Sequence, residues 1–138
     1  LVKTRYAHNI GEIFKKYLVK GKPGYIRKEK ISLDEAVSLI RGAGGIPVIA
    51  HPVSLNYKNI DEFELILKRF RDQGVEGIEV YSSMHTPSEI HDFFNLAGKY
   101  DLIVSGGSDF HGDKDERIGY YHPSKPIPYE IYERLKSR

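Results

Sequence analysis

The sequence predicts an α/β fold of parallel strands joined by crossover helices, and three observations carry that prediction. From Ser32 onward, helical and strand-like patterns alternate as helix, strand, helix, strand, helix, strand, helix. The connections between successive strands are too long for hairpins, so the strands run parallel and the helices return the chain. The strand segments Ile46 to Ala50, Val75 to Val80 and Leu102 to Ser105 lack strict apolar–polar alternation, as expected of strands covered on both faces.

Each element has its own local signal. Asn9-Ile-Gly-Glu12 has the form of a capping box and precedes Ile10, Ile13, Phe14, Tyr17 and Leu18, spaced as one helical face. That helix stops near Lys20-Gly-Lys-Pro-Gly24, where Lys20, Lys22, Arg27, Lys28 and Lys30 make a basic loop around Tyr25. A charge run of this kind reads first as a solvated connector. Ser32-Leu-Asp-Glu35 opens a second helix with Leu33, Ala36, Val37 and Ile40 as its buried stripe, and Gly42 and Gly44 end it. Asn59-Ile-Asp-Glu62 starts a third, with Ile60, Phe63, Ile66, Leu67 and Phe70 on one face and Gly74 as its stop. Thr86-Pro-Ser-Glu89 supplies an N-cap, a proline in the first turn and a capping glutamate for a fourth, whose core residues are Ile90, Phe93, Phe94 and Ala97. A short helix follows Pro128.

Composition narrows the chemistry. The chain has 138 residues, 40% of them hydrophobic, which is enough for one core. Its 21 basic and 19 acidic residues give a formal charge of +2, too balanced for a general nucleic-acid or membrane surface. The absence of cysteine excludes disulfides and thiolate metal sites, so a metal ion would be held by imidazole and carboxylate, which suits manganese, magnesium, iron or zinc. No apolar run reaches membrane-spanning length and the amino terminus lacks a signal-peptide core, so the expected location is cytoplasmic. The chain begins with leucine rather than methionine, which suggests a fragment of a longer protein.

In a parallel α/β sheet, ligands gather at the carboxyl ends of the strands. His51 follows the first strand, Glu79 and Tyr81 end the second, and Asp109 with His111 follow the third across the Ser105-Gly-Gly-Ser108 turn. Convergence of these residues on one rim is the sequence argument for a metal site. Each has a bland alternative: His51 could cap a strand, Asp109 could cap a turn, and His111 could be a surface histidine. Glu79 lies between Ile78 and Val80, and if buried it needs a partner, either a histidine or a basic residue. His85, just before a helix cap, could reach the same rim but reads first as a loop histidine, and His8, His91 and His122 read as structural or surface groups.

Four stretches, Ser32-Leu-Asp-Glu-Ala-Val37, Gly44-Gly-Ile-Pro-Val-Ile-Ala-His-Pro52, Gly77-Ile-Glu-Val-Tyr81 and Ser105-Gly-Gly-Ser-Asp-Phe-His-Gly112, together resemble the carboxyl-terminal half of PHP-domain metal-dependent phosphoesterases. The most similar branch acts on nucleoside 3′,5′-bisphosphates and RNA 5′ ends. The resemblance implies a partial (β/α)7 PHP-type barrel over residues 43–138. It implies the end of a helical inserted segment, with a connecting helix, over residues 1–42. It further implies divalent metal ions, manganese first, held by His51, Asp109 and His111, with Asp109 and His111 catalytic and Glu79 behind the ligands. Lys22 and Arg27 become the expected phosphate contacts, and the expected substrate is a phosphorylated nucleotide or RNA end.

The family's His-x-His strand has no counterpart here, since no two of the six histidines stand two residues apart. The chain is therefore expected to lack part of the metal site and of the barrel. It would need the amino-terminal half, a partner chain or further copies of itself to complete them, with no role for a membrane. A metal-dependent amidohydrolase and a non-catalytic α/β binding module are the alternative readings.

Overall fold

The computed structural model describes residues 7–27, 29–112 and 117–137. Contacts divide the chain into two units, 1–31 and 32–138. The sequence reading placed the boundary after Gly42; the contact division leaves the helix of residues 33–42 in the second unit. Among the described residues no helix is long and apolar enough to cross a membrane.

The first unit holds a four-residue helix, α1 (Ile10–Ile13), running into a π-helical turn over Phe14–Leu18. Asn9 caps it by accepting the Glu12 amide at 2.9 Å, but Glu12 reaches back to the His8 amide rather than to Asn9. The apolar stripe expected here exists, yet none of its residues is buried. A short amphipathic helix without a covering surface has little beyond capping to hold it regular.

The second unit is an open parallel sheet in the order β1-β2-β3, formed by Val48–Ile49, Gly77–Ser82 and Ile103–Gly107. α2 (Leu33–Gly42) leads into β1, α3 (Ile60–Asp72) crosses from β1 to β2, and α4 (Pro87–Lys99) crosses from β2 to β3. Two elements escaped the sequence reading: a short antiparallel pair, β4 (Tyr120–His122) with β5 (Lys125–Pro126). α5 (Tyr129–Lys136) follows Pro128 as expected and packs on β3.

The strands depart from their expected limits for local reasons. β1 is short because Pro47 has no amide to donate, although its carbonyl accepts from Glu76 and Gly77, and because His51 turns left-handed at φ 48°. β2 starts at Gly77 because Val75 still donates to the Phe70 carbonyl and so closes α3. β3 extends through Gly106 and Gly107, which pair with Tyr81 and Ser82, so the expected glycine turn is strand instead. A Cβ on Gly106 would lie 2.8 Å from both Cβ and the carbonyl oxygen of Tyr81, which only glycine avoids. The bend comes two residues later, at Asp109 with φ 52°.

Ile78 and Val80 point to the helical side of the central strand and join Phe63, Leu67, Phe93, Leu96 and Ala97 in one core. The Phe63 ring centroid lies 4.9 Å from that of Phe93 and 5.0 Å from that of Tyr57. Glu79, between Ile78 and Val80, faces the other way, as the two-residue period of a strand requires. The core therefore determines which side of the sheet carries the candidate site.

Two measurements check this account. Phe63→Ala empties the centre of the core and should cost about 3–5 kcal/mol in urea unfolding, the range for a buried aromatic. At α4, Thr86 and Glu89 form a complete capping box. The Thr86 amide, then burial opposing it and the Thr86 hydroxyl, set the Glu89 carboxyl below its ordinary 4.5. A lowered folded value means that the fold favours the carboxylate, so its contribution is present at neutral pH and is lost as pH falls through the acid range below 4.5. The stability gap between wild type and Glu89→Gln should accordingly narrow when urea unfolding is repeated at decreasing pH.

Candidate functional site

The carboxyl ends of the three parallel strands bring His51, Glu79 and Asp109 together. Glu79 is buried at 8% exposure in the central strand. Its Oε2 accepts the backbone N–H of His51 at 2.8 Å and lies 3.5 Å from the ring nitrogen Nδ1 of the same residue. The ring contact lacks hydrogen-bond alignment, so Nδ1 is buried without a hydrogen-bond partner. On the other side of the ring, His51 Nε2 is 3.6 Å from Asp109 Oδ1.

Local backbone produces this arrangement. His51 is left-handed and Pro52 follows it into a 3-10 turn over Pro52–Ser54, so the ring is held at the strand end instead of continuing along β1. The Ser54 hydroxyl donates to the His51 carbonyl at 2.7 Å and closes that turn. In β2 the register slips between Glu79 and Tyr81, a bulge of the type that re-aims side chains beside functional sites. Gly107 leaves room for the carboxylate, since a Cβ there would lie 3.2 Å from Glu79 Oε1.

The donor set suits a cation. Where the ring proton sits on Nδ1, the nitrogen nearer Glu79, the lone pair of Nε2 faces the Asp109 carboxylate. Two electron-rich atoms at this separation are favourable only with positive charge between them, a proton or a metal ion. The 3.6 Å gap is too long for a hydrogen bond and close to the roughly 3.4 Å that separates neighbouring ligands of a tetrahedral ion with bonds near 2.1 Å. These residues therefore fit a divalent ion as part of its ligand set. Among the described residues no group of three or more such side chains closes on a single point, so the set is incomplete.

The other sequence candidates fall as follows. His111 is adjacent to Asp109: its Nδ1 contacts the Asp109 carbonyl and lies 3.9 Å from Asp109 Oδ2, with the side chain 67% exposed. Lys22 and Arg27 are exposed residues of the first unit. Tyr81 packs on Tyr121 at 5.2 Å between centroids, and burial pushes its hydroxyl up from the ordinary tyrosine value. His85 is buried rather than a loop histidine on the surface. Its Nδ1 lies 2.8 Å from the Val80 carbonyl and so carries the proton, its ring meets Phe93 edge-on, and Nε2 is buried without a partner. Val80 is the residue skipped by the bulge, and the loop pattern alone gave no sign of that free carbonyl.

Glu79 is thus both a neighbour of the His51 ring and the acceptor of its amide. Glu79→Ala should cost about 1–3 kcal/mol in chemical denaturation by leaving that N–H unsatisfied, whereas Glu79→Gln, which keeps an acceptor oxygen, should cost less.

No protein-family profile matches the chain. It is 38% identical, over its whole length, to a 3′,5′-nucleoside bisphosphate phosphatase of Chromobacterium violaceum, of which it covers 49%. It is 32% identical over 80% of its length to the 5′-3′ exoribonuclease Rnm of Escherichia coli, covering 38% of that protein. Among solved structures, an amidohydrolase of Chromobacterium violaceum with bound sulfate superposes with a TM-score of 0.65 at 36% identity, over 97% of this chain and 48% of the other. A candidate metal-dependent phosphoesterase of Bifidobacterium adolescentis superposes with a TM-score of 0.70 at 25% identity, over 99% and 47%. The chain spans about half the length, or less, of the curated relatives it matches. The chain is thus similar over its whole length to part of a phosphatase, and over most of it to part of an exoribonuclease, and it shares its α/β fold with a candidate metal-dependent phosphoesterase.

Proposed function

We propose that this chain is part of a metal-dependent phosphoesterase that hydrolyses phosphate esters of nucleotides or of RNA 5′ ends. The observation that carries the reading is the His51 imidazole held between two carboxylates, Glu79 at 3.5 Å and Asp109 at 3.6 Å, at the ends of parallel strands. The names of the relatives, a nucleoside bisphosphate phosphatase and an exoribonuclease, support the substrate class.

In this reading His51, Asp109 and His111 are the chain's ligands for a divalent ion, manganese before magnesium, iron or zinc. A divalent ion at such a site supplies an activated water and positive charge opposite the phosphoryl oxygens. Glu79 holds the His51 backbone by accepting its amide, which positions the ring with Nε2 toward Asp109. Asp109 and His111 follow β3, two and four residues past its last residue Gly107. Lys22 and Arg27 are the proposed phosphate contacts from the first unit. The described residues leave the ligand set incomplete, and the proposed sources of further ligands are an amino-terminal half, a partner chain or a second copy.

A second reading, amide hydrolysis, is favoured by one finding, the structural similarity to a protein described as an amidohydrolase. It uses the same rim residues, and hydrolysis of p-nitrophenyl phosphate against an amide substrate by the complete protein separates the two.

The ligand assignment is tested on the chain itself. Substoichiometric manganese should broaden the ring-proton signals of His51 and His111 in NMR spectra. In an Asp109→Ala, His111→Ala double variant the remaining His51 broadening should need at least about tenfold more metal. Equal broadening in both proteins, or none in the wild type, would overturn the assignment.

A further inference from the structure

His85 is a buried imidazole outside the proposed ligand set, in the loop between β2 and α4. The chain turns back sharply after β2: the His85 amide donates to the Ser82 carbonyl at 3.1 Å, and the ring returns to Val80, five residues earlier. Nδ1 stands 2.8 Å from the Val80 carbonyl, and because a carbonyl only accepts, Nδ1 is the protonated nitrogen. The ring meets that of Phe93 edge-on at 5.1 Å, and Phe93 meets Phe63 at 4.9 Å. The donor is thus anchored in the core that also holds the apolar face of β2.

For packing alone, histidine is a poor occupant of this place. Nε2 is buried without a hydrogen-bond partner, a loss of solvation that leucine or phenylalanine would avoid. What an apolar side chain cannot supply is the Nδ1–H. Its acceptor, Val80, is the residue that the β2–β3 register passes over, since Glu79 pairs with Ser105 and Tyr81 with Gly106. A one-residue shift in register turns side chains to the opposite face of a strand, so the bulge has to be held where it is. Glu79 immediately precedes it, and the Glu79 carboxylate must face the rim to accept the His51 amide at 2.8 Å. Fixing the Val80 carbonyl fixes the peptide plane one residue from Glu79.

We propose that His85 is a positioning residue of the rim. Its Nδ1–H pins the Val80 carbonyl and holds the bulge in β2. The Glu79 carboxylate is thereby kept where it accepts the His51 amide, and His51 faces Asp109. The consequence for metal binding rests on the phosphoesterase reading, whereas the positioning of the His51 backbone does not.

The test is amide hydrogen exchange of the metal-free chain, read at His51 and, as the measure of general stability, at Leu67 within α3. His85→Leu fills the space without a donor and should speed exchange at His51 about tenfold more than at Leu67. His85→Asn should bring His51 back to within about threefold of wild type, because its amide nitrogen stands as many bonds from the backbone as Nδ1. His85→Gln, whose nitrogen matches Nε2 in that count, should not. Phe93→Leu loosens the same packing but leaves the donor, and should move both amides alike. Equal acceleration at His51 and Leu67 in His85→Leu, an unchanged His51, or no difference between His85→Asn and His85→Gln overturns the proposal. The last comparison decides the matter even where His85→Leu does not fold. Manganese titration separates the proposal from the reading beneath it: broadening of the His51 ring signals should need about tenfold more metal in His85→Leu than in wild type or His85→Asn. Absent broadening in the wild type overturns the metal reading while the exchange pattern stands. Broadening and exchange both unchanged in His85→Leu overturn the positioning role and leave the metal reading intact.

Discussion

A carboxylate buried in the central strand of a sheet has to be answered by a donor, and the answer to Glu79 is His51. The backbone N–H of His51 reaches Glu79 Oε2 at 2.8 Å across the β1–β2 pair, and the ring of the same residue stands beside it. This contact ties the end of one strand to the middle of the next. It requires His51 to leave the extended conformation, and the left-handed φ of 48° is the visible consequence. With the amide committed to Glu79, the ring is left to face Asp109.

The other strand contributes through what it lacks. Gly106 and Gly107 carry no Cβ where Tyr81 and the Glu79 carboxylate come close, so β3 can pair to its end with β2 and deliver Ser108 and Asp109 to the rim. On the helical side, Phe63, Leu67 and Phe93 pack against Ile78 and Val80 and keep β2 from rotating its faces. One face of the strand is therefore apolar packing and the other is chemistry. The bulge at Val80 lies between these demands, shifting the register just past Glu79 and leaving a carbonyl that His85 takes up.

Partial ligation and partial architecture are two sides of one feature. Among the described residues the sheet has three strands, with β1 and β3 at its edges, and the imidazole and carboxylates at its end fall short of a full ligand set. Glu79 and Asp109 flank one imidazole, so positive charge there, a proton or a metal ion, is electrostatically favourable. The chain matches 49% of the phosphatase and 38% of the exoribonuclease.

Much of this was readable from residue order, and the parts that were not share a cause. Helix starts at Ser32, Asn59 and Thr86, the apolar stripes of α3 and α4, and the His51 and Asp109 positions after apolar strands are local patterns, and local hydrogen bonding and periodicity produced them in the structure. The stripe of α1 was equally legible but stayed uncovered, since a pattern states what could be buried and cannot supply the surface that buries it. Gly106 and Gly107 signalled a turn by residue type, whereas a neighbouring strand 2.8 Å from a Cβ made them strand. Likewise the burial of His85 and the short β4–β5 pair depend on residues brought together from separate parts of the chain. The sequence by itself determined the element types, the parallel order and the rim that carries His51, Glu79 and Asp109, because these follow from spacing along the chain. Only the tertiary structure decided that Glu79 is buried against the His51 amide and that His51 faces Asp109, because both need strands distant in sequence to meet in register.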